Sequence, residues 1–105
     1  MDRIIEGNER ILVCLSPSPS NKKVVEAAAK MARAFQAALT AIYIKPTNYG
    51  MLSETDKRRL QSNIGFAEQC GASVTTIIGN DVPVQIAEYA HISGATKIVV
   101  AEYLI

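Results

Sequence analysis

Four short apolar runs alternate with three longer stretches in which apolar residues recur at helical spacing. The first run, Ile11-Leu12-Val13-Cys14-Leu15, is unbroken. A continuous apolar run rich in branched residues predicts a strand buried on both faces, as in a parallel sheet between helices. Ser16-Pro17-Ser18-Pro19-Ser20 follows at once and predicts a loop at the carboxyl end of that strand. Val24, Val25, Ala28, Met31, Ala32 and Phe35 then keep one helical face, while Lys22, Lys23, Glu26, Lys30 and Arg33 fill the other. Ser20 stands where an N-cap hydroxyl would accept from a first-turn amide.

The second run, Leu39-Thr40-Ala41-Ile42-Tyr43-Ile44, is stopped by Lys45-Pro46. Ser53 and Asp56 have the spacing of a weak capping box and predict a second helix to about Cys70, ended by Gly71. Its apolar side is thin, with Leu60, Ile64, Phe66 and Ala67, so it is predicted to be the more solvated and mobile helix. The third run is Ser73–Ile78. Asp81 is placed to cap a third helix that tolerates Pro83 in its first turn and ends at Gly94. Val82, Ile86, Tyr89 and Ala90 form its apolar face, and Lys97–Ala101 is the fourth run.

Strands alternating with helices predict a three-layer, Rossmann-like α/β fold with the order βαβαβαβ and right-handed crossovers. The expected strand order is 3-2-1-4. Its reversal point lies between strands 1 and 4, beside the Ser16–Ser20 loop, where open α/β sheets place ligands.

Composition narrows the function classes. The 105 residues suit one domain, with 1–8 as a linker and 9–105 as the domain. Eleven basic against ten acidic residues give a net charge of +1, which argues against a nucleic-acid binder. No apolar run approaches the ~20 residues of a membrane span, and the first residues lack the apolar core of a signal peptide. A cytoplasmic domain that does not itself insert in a membrane is expected. Cys14 and Cys70 have no metal-ligand spacing and read as reduced apolar thiols. No metal or cofactor is expected.

Catalytic patterns are poor. His91 is the single histidine and reads as a surface or cap residue. Phosphoacceptor receiver domains need acidic residues at the ends of strands 1 and 3, where this chain has Ser16 and Gly79-Asn80. Neither GxxxxGK[ST] nor GxGxxG is present. Pro17 and Pro19 each remove an amide from the first loop, so the loop cannot cradle phosphate with successive N–H groups. The hydroxyls of Ser16, Ser18 and Ser20, with the amides of Ser18, Ser20 and Asn21, could still meet one phosphate, or a ribose and a base edge. The alternative is a rigid turn. Tyr43, near the end of strand 2, could stack on a base, or it could be a core tyrosine. Alternation puts Ala41 and Tyr43 on one face of the sheet and Thr40 on the other.

Glu9-Arg10-Ile11-Leu12-Val13-Cys14-Leu15, Thr40-Ala41-Ile42-Tyr43, Gly79-Asn80-Asp81-Val82 and Thr96-Lys97-Ile98-Val99-Val100 together resemble the universal stress protein-like domain of KdpD-type sensor histidine kinases. The resemblance covers roughly residues 9–101. It implies an adenine nucleotide alpha hydrolase-like fold. It also implies a piece of a membrane kinase that controls potassium uptake, in which the parent and not this domain is the enzyme. The family continues past strand 4 with a basic segment and another strand.

Some members bind cyclic di-AMP through Ser-x-Ser, about twenty residues, then Phe-Thr-Ala-x-Tyr. Here Ser16-Pro17-Ser18 is followed by twenty residues and then Leu39-Thr40-Ala41-Ile42-Tyr43, with Leu39 replacing the aromatic. The resemblance therefore implies a ligand set of Ser16, Ser18, Ser20, Leu39, Thr40, Ala41 and Tyr43. It implies as partners a small nucleotide, the other kinase domains and a second copy of the chain. The alternative is a protein-interaction or dimerisation module with no small ligand. A free-standing ATP hydrolase of the stress-protein type is disfavoured, because the GxxGx9G[ST] signature is not in the sequence.

Overall fold

In a computed structural model of the chain, residues 9–101 are described. The expected linker at 1–8 and the last four residues lie outside them. The elements are β1 (Arg10–Leu15), α1 (Asn21–Phe35), β2 (Ala38–Lys45), α2 (Glu54–Gln69), β3 (Ser73–Ile78), α3 (Val82–Ser93) and β4 (Lys97–Val99). A short 3-10 turn at Tyr49–Met51 lies between β2 and α2. All strand pairs are parallel and the order is β3-β2-β1-β4, as expected.

Strand alternation divides the core into two. Ile11, Val13, Leu15, Leu39, Ala41 and Tyr43 face α1 and α2, packing on Val25, Ala28, Ala29, Leu60 and Ala67. Leu12, Ile42 and Ile44 face α3 and meet Ala90. The crossovers through α1 and α2 run in one direction along the sheet and so put both helices on one face. The β3-to-β4 connection runs back across the sheet and puts α3 on the other.

The caps are largely those expected. Ser53 Oγ accepts from Asp56 N at 3.0 Å, and Asp81 Oδ1 accepts from Val84 N at 3.3 Å. Gly71 and Gly94 take the left-handed conformation, with φ of 93° and 74°, which glycine adopts without a Cβ penalty.

Three expectations are corrected. Ser20 occupies the N-cap position of α1 but its side chain makes no cap hydrogen bond. Its backbone is already helical, and its hydroxyl pairs instead with Ser18 Oγ at 2.9 Å. The more solvated helix is α3: it buries only Ala90, whereas α2 buries Leu60, Asn63 and Ala67, because α2 packs on both α1 and the sheet. The fourth strand stops at Val99, short of Ala101.

The early end of β4 has a specific cause. Arg10 turns its backbone toward β4, since Arg10 N donates to Thr96 Oγ1 and Arg10 O accepts from Thr96 N. Backbone direction alternates along a parallel strand, so Cys14 C=O and Ser16 N–H face the same side. In the observed register Leu15 would stand opposite Ala101, so these are the groups Ala101 would bond. Both are taken by Asn21, whose Nδ2 donates to Cys14 O at 3.0 Å and whose Oδ1 accepts from Ser16 N at 3.2 Å. The buried Asn21 amide thus stands in for a strand residue and keeps β1 and β4 apart at their carboxyl ends.

Candidate functional site

The carboxyl ends of β1, β2 and β3 enclose a hollow of about 280 Å³ on the α3 face. Cys14, Ile42 and Ile44 form its floor because they are the residues that alternation turns toward α3. Val82 and Ile86 close one side, Leu52 another, and Ser16, Pro17, Pro46 and Asn80 form the rim. Asn80 is fixed by Thr47: its Oδ1 accepts from Thr47 N at 3.1 Å, and its Nδ2 donates to Thr47 Oγ1 at 3.1 Å. This latch ties the ends of β2 and β3 together.

The lining carries no charge at neutral pH. Its titratable groups are Cys14 and Tyr43. Burial pushes the Cys14 thiol up to about 11. Tyr43 is raised too, first by burial and then by neighbouring Tyr49. A neutral thiol is a poor nucleophile, and no imidazole or carboxylate lines the hollow. His91 is exposed on α3. Among the described residues no three of His, Cys, Asp and Glu gather as a metal would require. The arrangement presents an apolar floor with hydroxyl and amide groups at its rim.

The loop after β1 is tied to itself. Ser18 N donates to Ser16 Oγ and Ser20 N to Ser18 Oγ, each at 3.2 Å, and Asn21 N donates to Ser18 O at 3.1 Å. The amides of Ser18, Ser20 and Asn21, expected from the sequence to be available, are therefore occupied within the loop. A ligand there meets hydroxyls, not free N–H groups.

The sequence-derived set divides three ways. Ser16 and Tyr43 both border the hollow. The Tyr43 ring, however, packs with Leu15 in the α1–α2 core on the opposite face of the sheet, so it is a core tyrosine and not a stacking platform in this hollow. Ser18 and Ser20 lie on the outer side of the loop and do not line it. Leu39 and Ala41 are buried in the α1–α2 core with the Tyr43 ring. Leu39 pairs with Ile11, at the amino end of β1, four residues or roughly 13 Å along the strand from Tyr43. Thr40 lines a separate hollow of about 270 Å³ at the amino end, with Arg10, Tyr89 and Ser93.

Sequence reasoning missed Asn21 and Asn63, the two buried polar side chains among the described residues. Asn63 Nδ2 donates to Ser16 O at 2.8 Å and to Ser18 O at 3.1 Å. The signal was present: Asn63 sits three residues after Leu60 and four before Ala67, inside the apolar stripe of α2.

Comparison with known proteins agrees with this architecture. The chain is 30% identical over 99 residues to the sensor protein KdpD of Clostridium acetobutylicum; the match takes in 94% of this chain and 11% of that relative's length. A universal stress protein solved in complex with cAMP superposes with a TM-score of 0.60 at 20% identity, over 86% of this chain and 69% of its own. The universal stress protein of Archaeoglobus fulgidus in complex with dAMP gives 0.61 at 21% identity, over 88% and 79%. These two likenesses establish the fold. The sequence model of the universal stress protein family matches residues 7–102, and the chain belongs to that family.

Proposed function

We propose that this chain is a regulatory domain of a KdpD-type sensor histidine kinase and that it binds a small nucleotide in the hollow at the carboxyl ends of β1, β2 and β3. The observation that carries this reading is the hollow itself. It is apolar within, uncharged, and edged by hydroxyl and amide groups beside the Ser16–Ser20 loop. A purine needs such a place: its faces are apolar and its edges polar. The nucleotides named in the complexes of two family members support the ligand class, and the KdpD relative supports the parent.

Cyclic di-AMP is the ligand we propose, on the kept spacing between Ser16-Pro17-Ser18 and Thr40-Ala41-Ile42-Tyr43. A volume of about 280 Å³ is at the low end for small-molecule pockets, ~300–1,000 Å³. It takes one nucleoside half. The phosphates and the second half then lie across the rim, within reach of the Ser16, Ser18 and Ser20 hydroxyls. Leu39 and Ala41 act from the core, shaping the strand under Tyr43. Occupancy biases the kinase, and so potassium uptake, by the difference in affinity between its two domain arrangements.

Isothermal titration of the chain with cyclic di-AMP, cAMP and AMP tests this. Saturable heat is expected for cyclic di-AMP, with weaker binding of AMP, which fills only the hollow. Absence of heat at high micromolar cyclic di-AMP refutes the assignment.

A second reading has its own support. Ile78, Val84, Ile92, Ile98 and Val100 are exposed, which suits contact with another kinase domain or with a second copy of the chain. Unchanged signalling by a Ser18→Ala/Tyr43→Ala double variant of the parent kinase would favour it.

A further inference from the structure

Asn63 stands outside the hollow, yet it holds the loop that edges it. Its side chain is 1% exposed, on the sheet-facing stripe of α2. Its amide nitrogen bonds the carbonyls of Ser16 and Ser18, residues 47 and 45 positions away in the chain. Its oxygen accepts from Lys22 Nζ at 3.1 Å, and the same ammonium donates to Ser62 Oγ at 2.6 Å. The loop's other side-chain bonds come from within five residues in sequence. Pro17 and Pro19 supply no donor of their own. Asn63 is thus the long-range tether that turns the Ser16 and Ser18 carbonyls inward.

We propose that Asn63 is the positioning residue of the serine loop, and that through it α2 moves with the loop when the hollow fills. A buried polar network of this kind has few alternative arrangements, because a displaced donor leaves the Ser16 carbonyl unpaired and the Ser18 carbonyl with its Asn21 N–H bond alone. Loop and α2 therefore shift together, and the exposed side of α2, with Arg58, Gln61 and Glu68, is the surface that carries occupancy to the rest of the protein. The second half of the proposal rests on the nucleotide reading of the hollow; the first half does not.

The test uses backbone amide spectra of the whole chain, first without nucleotide. Asn63→Leu keeps the volume and loses the donor. It is expected to shift the Ser16, Ser18 and Ser20 amide resonances and to speed their exchange with solvent about tenfold, while β3 and α3 amides change only as global stability changes. Should that variant fail to fold, Asn63→Asp keeps the shape, loses the donor and is expected to give the same pattern. Loop amides that exchange as in the wild type overturn the positioning role. Titration with cyclic di-AMP follows. In the wild type, amides of Leu60–Ala67 are expected to shift with occupancy. In the variant, affinity falls at least tenfold and the α2 response disappears even at saturation. An α2 response of wild-type size in the variant overturns the coupling. A wild-type chain that binds no nucleotide refutes the reading of the hollow and the α2 response together, and leaves the ligand-free exchange to decide the role of Asn63.

Discussion

The two faces of this sheet are built from the same strands and end up with different properties. On the α1–α2 side twelve buried residues form one continuous core; on the α3 side four do. The smaller number does not reflect weaker strands, since Leu12 and Ile42 are as fully buried as Ile11 and Val13. It reflects coverage. Two helices of 15 and 16 residues lie over one face and a single helix of 12 over the other. The hollows at the carboxyl and amino ends are both lined by α3 residues. The thick face is closed by packed helices, and the thin face leaves hollows open at both ends of the sheet.

The largest expected effect tests that division directly. Leu60 is 2% exposed in the α1–α2 core, and Leu60→Ala should cost about 3 kcal/mol, the usual range for a buried leucine. Ile86 is half-buried against the α3-side core and lines the hollow. Ile86→Ala should cost about 1 kcal/mol, because much of its surface already meets open space. Denaturant unfolding of both variants measures the difference. Equal losses would mean that the faces contribute alike.

The next effect concerns what separates β1 from β4. Asn21→Leu removes the amide that pairs Cys14 C=O and Ser16 N–H. Two part-buried backbone groups then lack partners, and the cost should be about 2 kcal/mol. The variant frees those groups for Ala101, so the Ala101 amide should gain protection from hydrogen exchange as β4 lengthens. A stability loss with no gain at Ala101 would show that Asn21 is only a structural bond, not the terminator of the strand.

These residues also show how far the sequence could be read. The strand order and helix positions were legible because apolar runs and helical spacing report burial directly. The serine loop was legible because turn formers follow the first run without a gap. Asn21 and Asn63 were not, because a polar residue beside other polar residues of a helix, as Asn21 is beside Lys22 and Asn63 beside Ser62, is assigned to solvent by default. Only its phase against Leu60 and Ala67 marks Asn63 as inward. Leu39 and Thr40 were grouped with Tyr43 by a motif, while the register puts them at the other end of the strand. Relative solvation of α2 and α3 was misjudged because apolar count within a helix says nothing about whether a second helix packs beside it.

A third, smaller effect is a dependence on pH. Cys14 has a folded value of about 11 against an ordinary 9.0, raised by burial. Tyr43 is raised in the same direction. A raised value means that the folded state favours the protonated group. The stabilisation is complete below about 9 and is lost as pH climbs toward 11. Unfolding free energy should therefore fall across that window, and Cys14→Ala should flatten the fall. The thiol should also react slowly with alkylating reagents at neutral pH. A steep alkaline loss that is the same in Cys14→Ala would assign the dependence to other groups.

The smallest expected change in stability carries the sharpest discrimination. Ile92 is 82% exposed on α3, so little of its side chain is removed from water on folding. Ile92→Asp should alter stability by no more than about 0.5 kcal/mol, with a slight penalty from a negative charge near the carboxyl end of the helix. Its effect on association is another matter. If the thin face also docks a neighbouring domain or a second copy, a buried carboxylate there would cost far more than an exposed one. Sedimentation of the chain at rising concentration, with and without Ile92→Asp, separates the two uses of this face. Association that is lost while cyclic di-AMP binding persists would place docking on the outer side of α3 and the nucleotide beneath its other side. Association and nucleotide binding lost together would mean that the hollow is completed only in the assembled state.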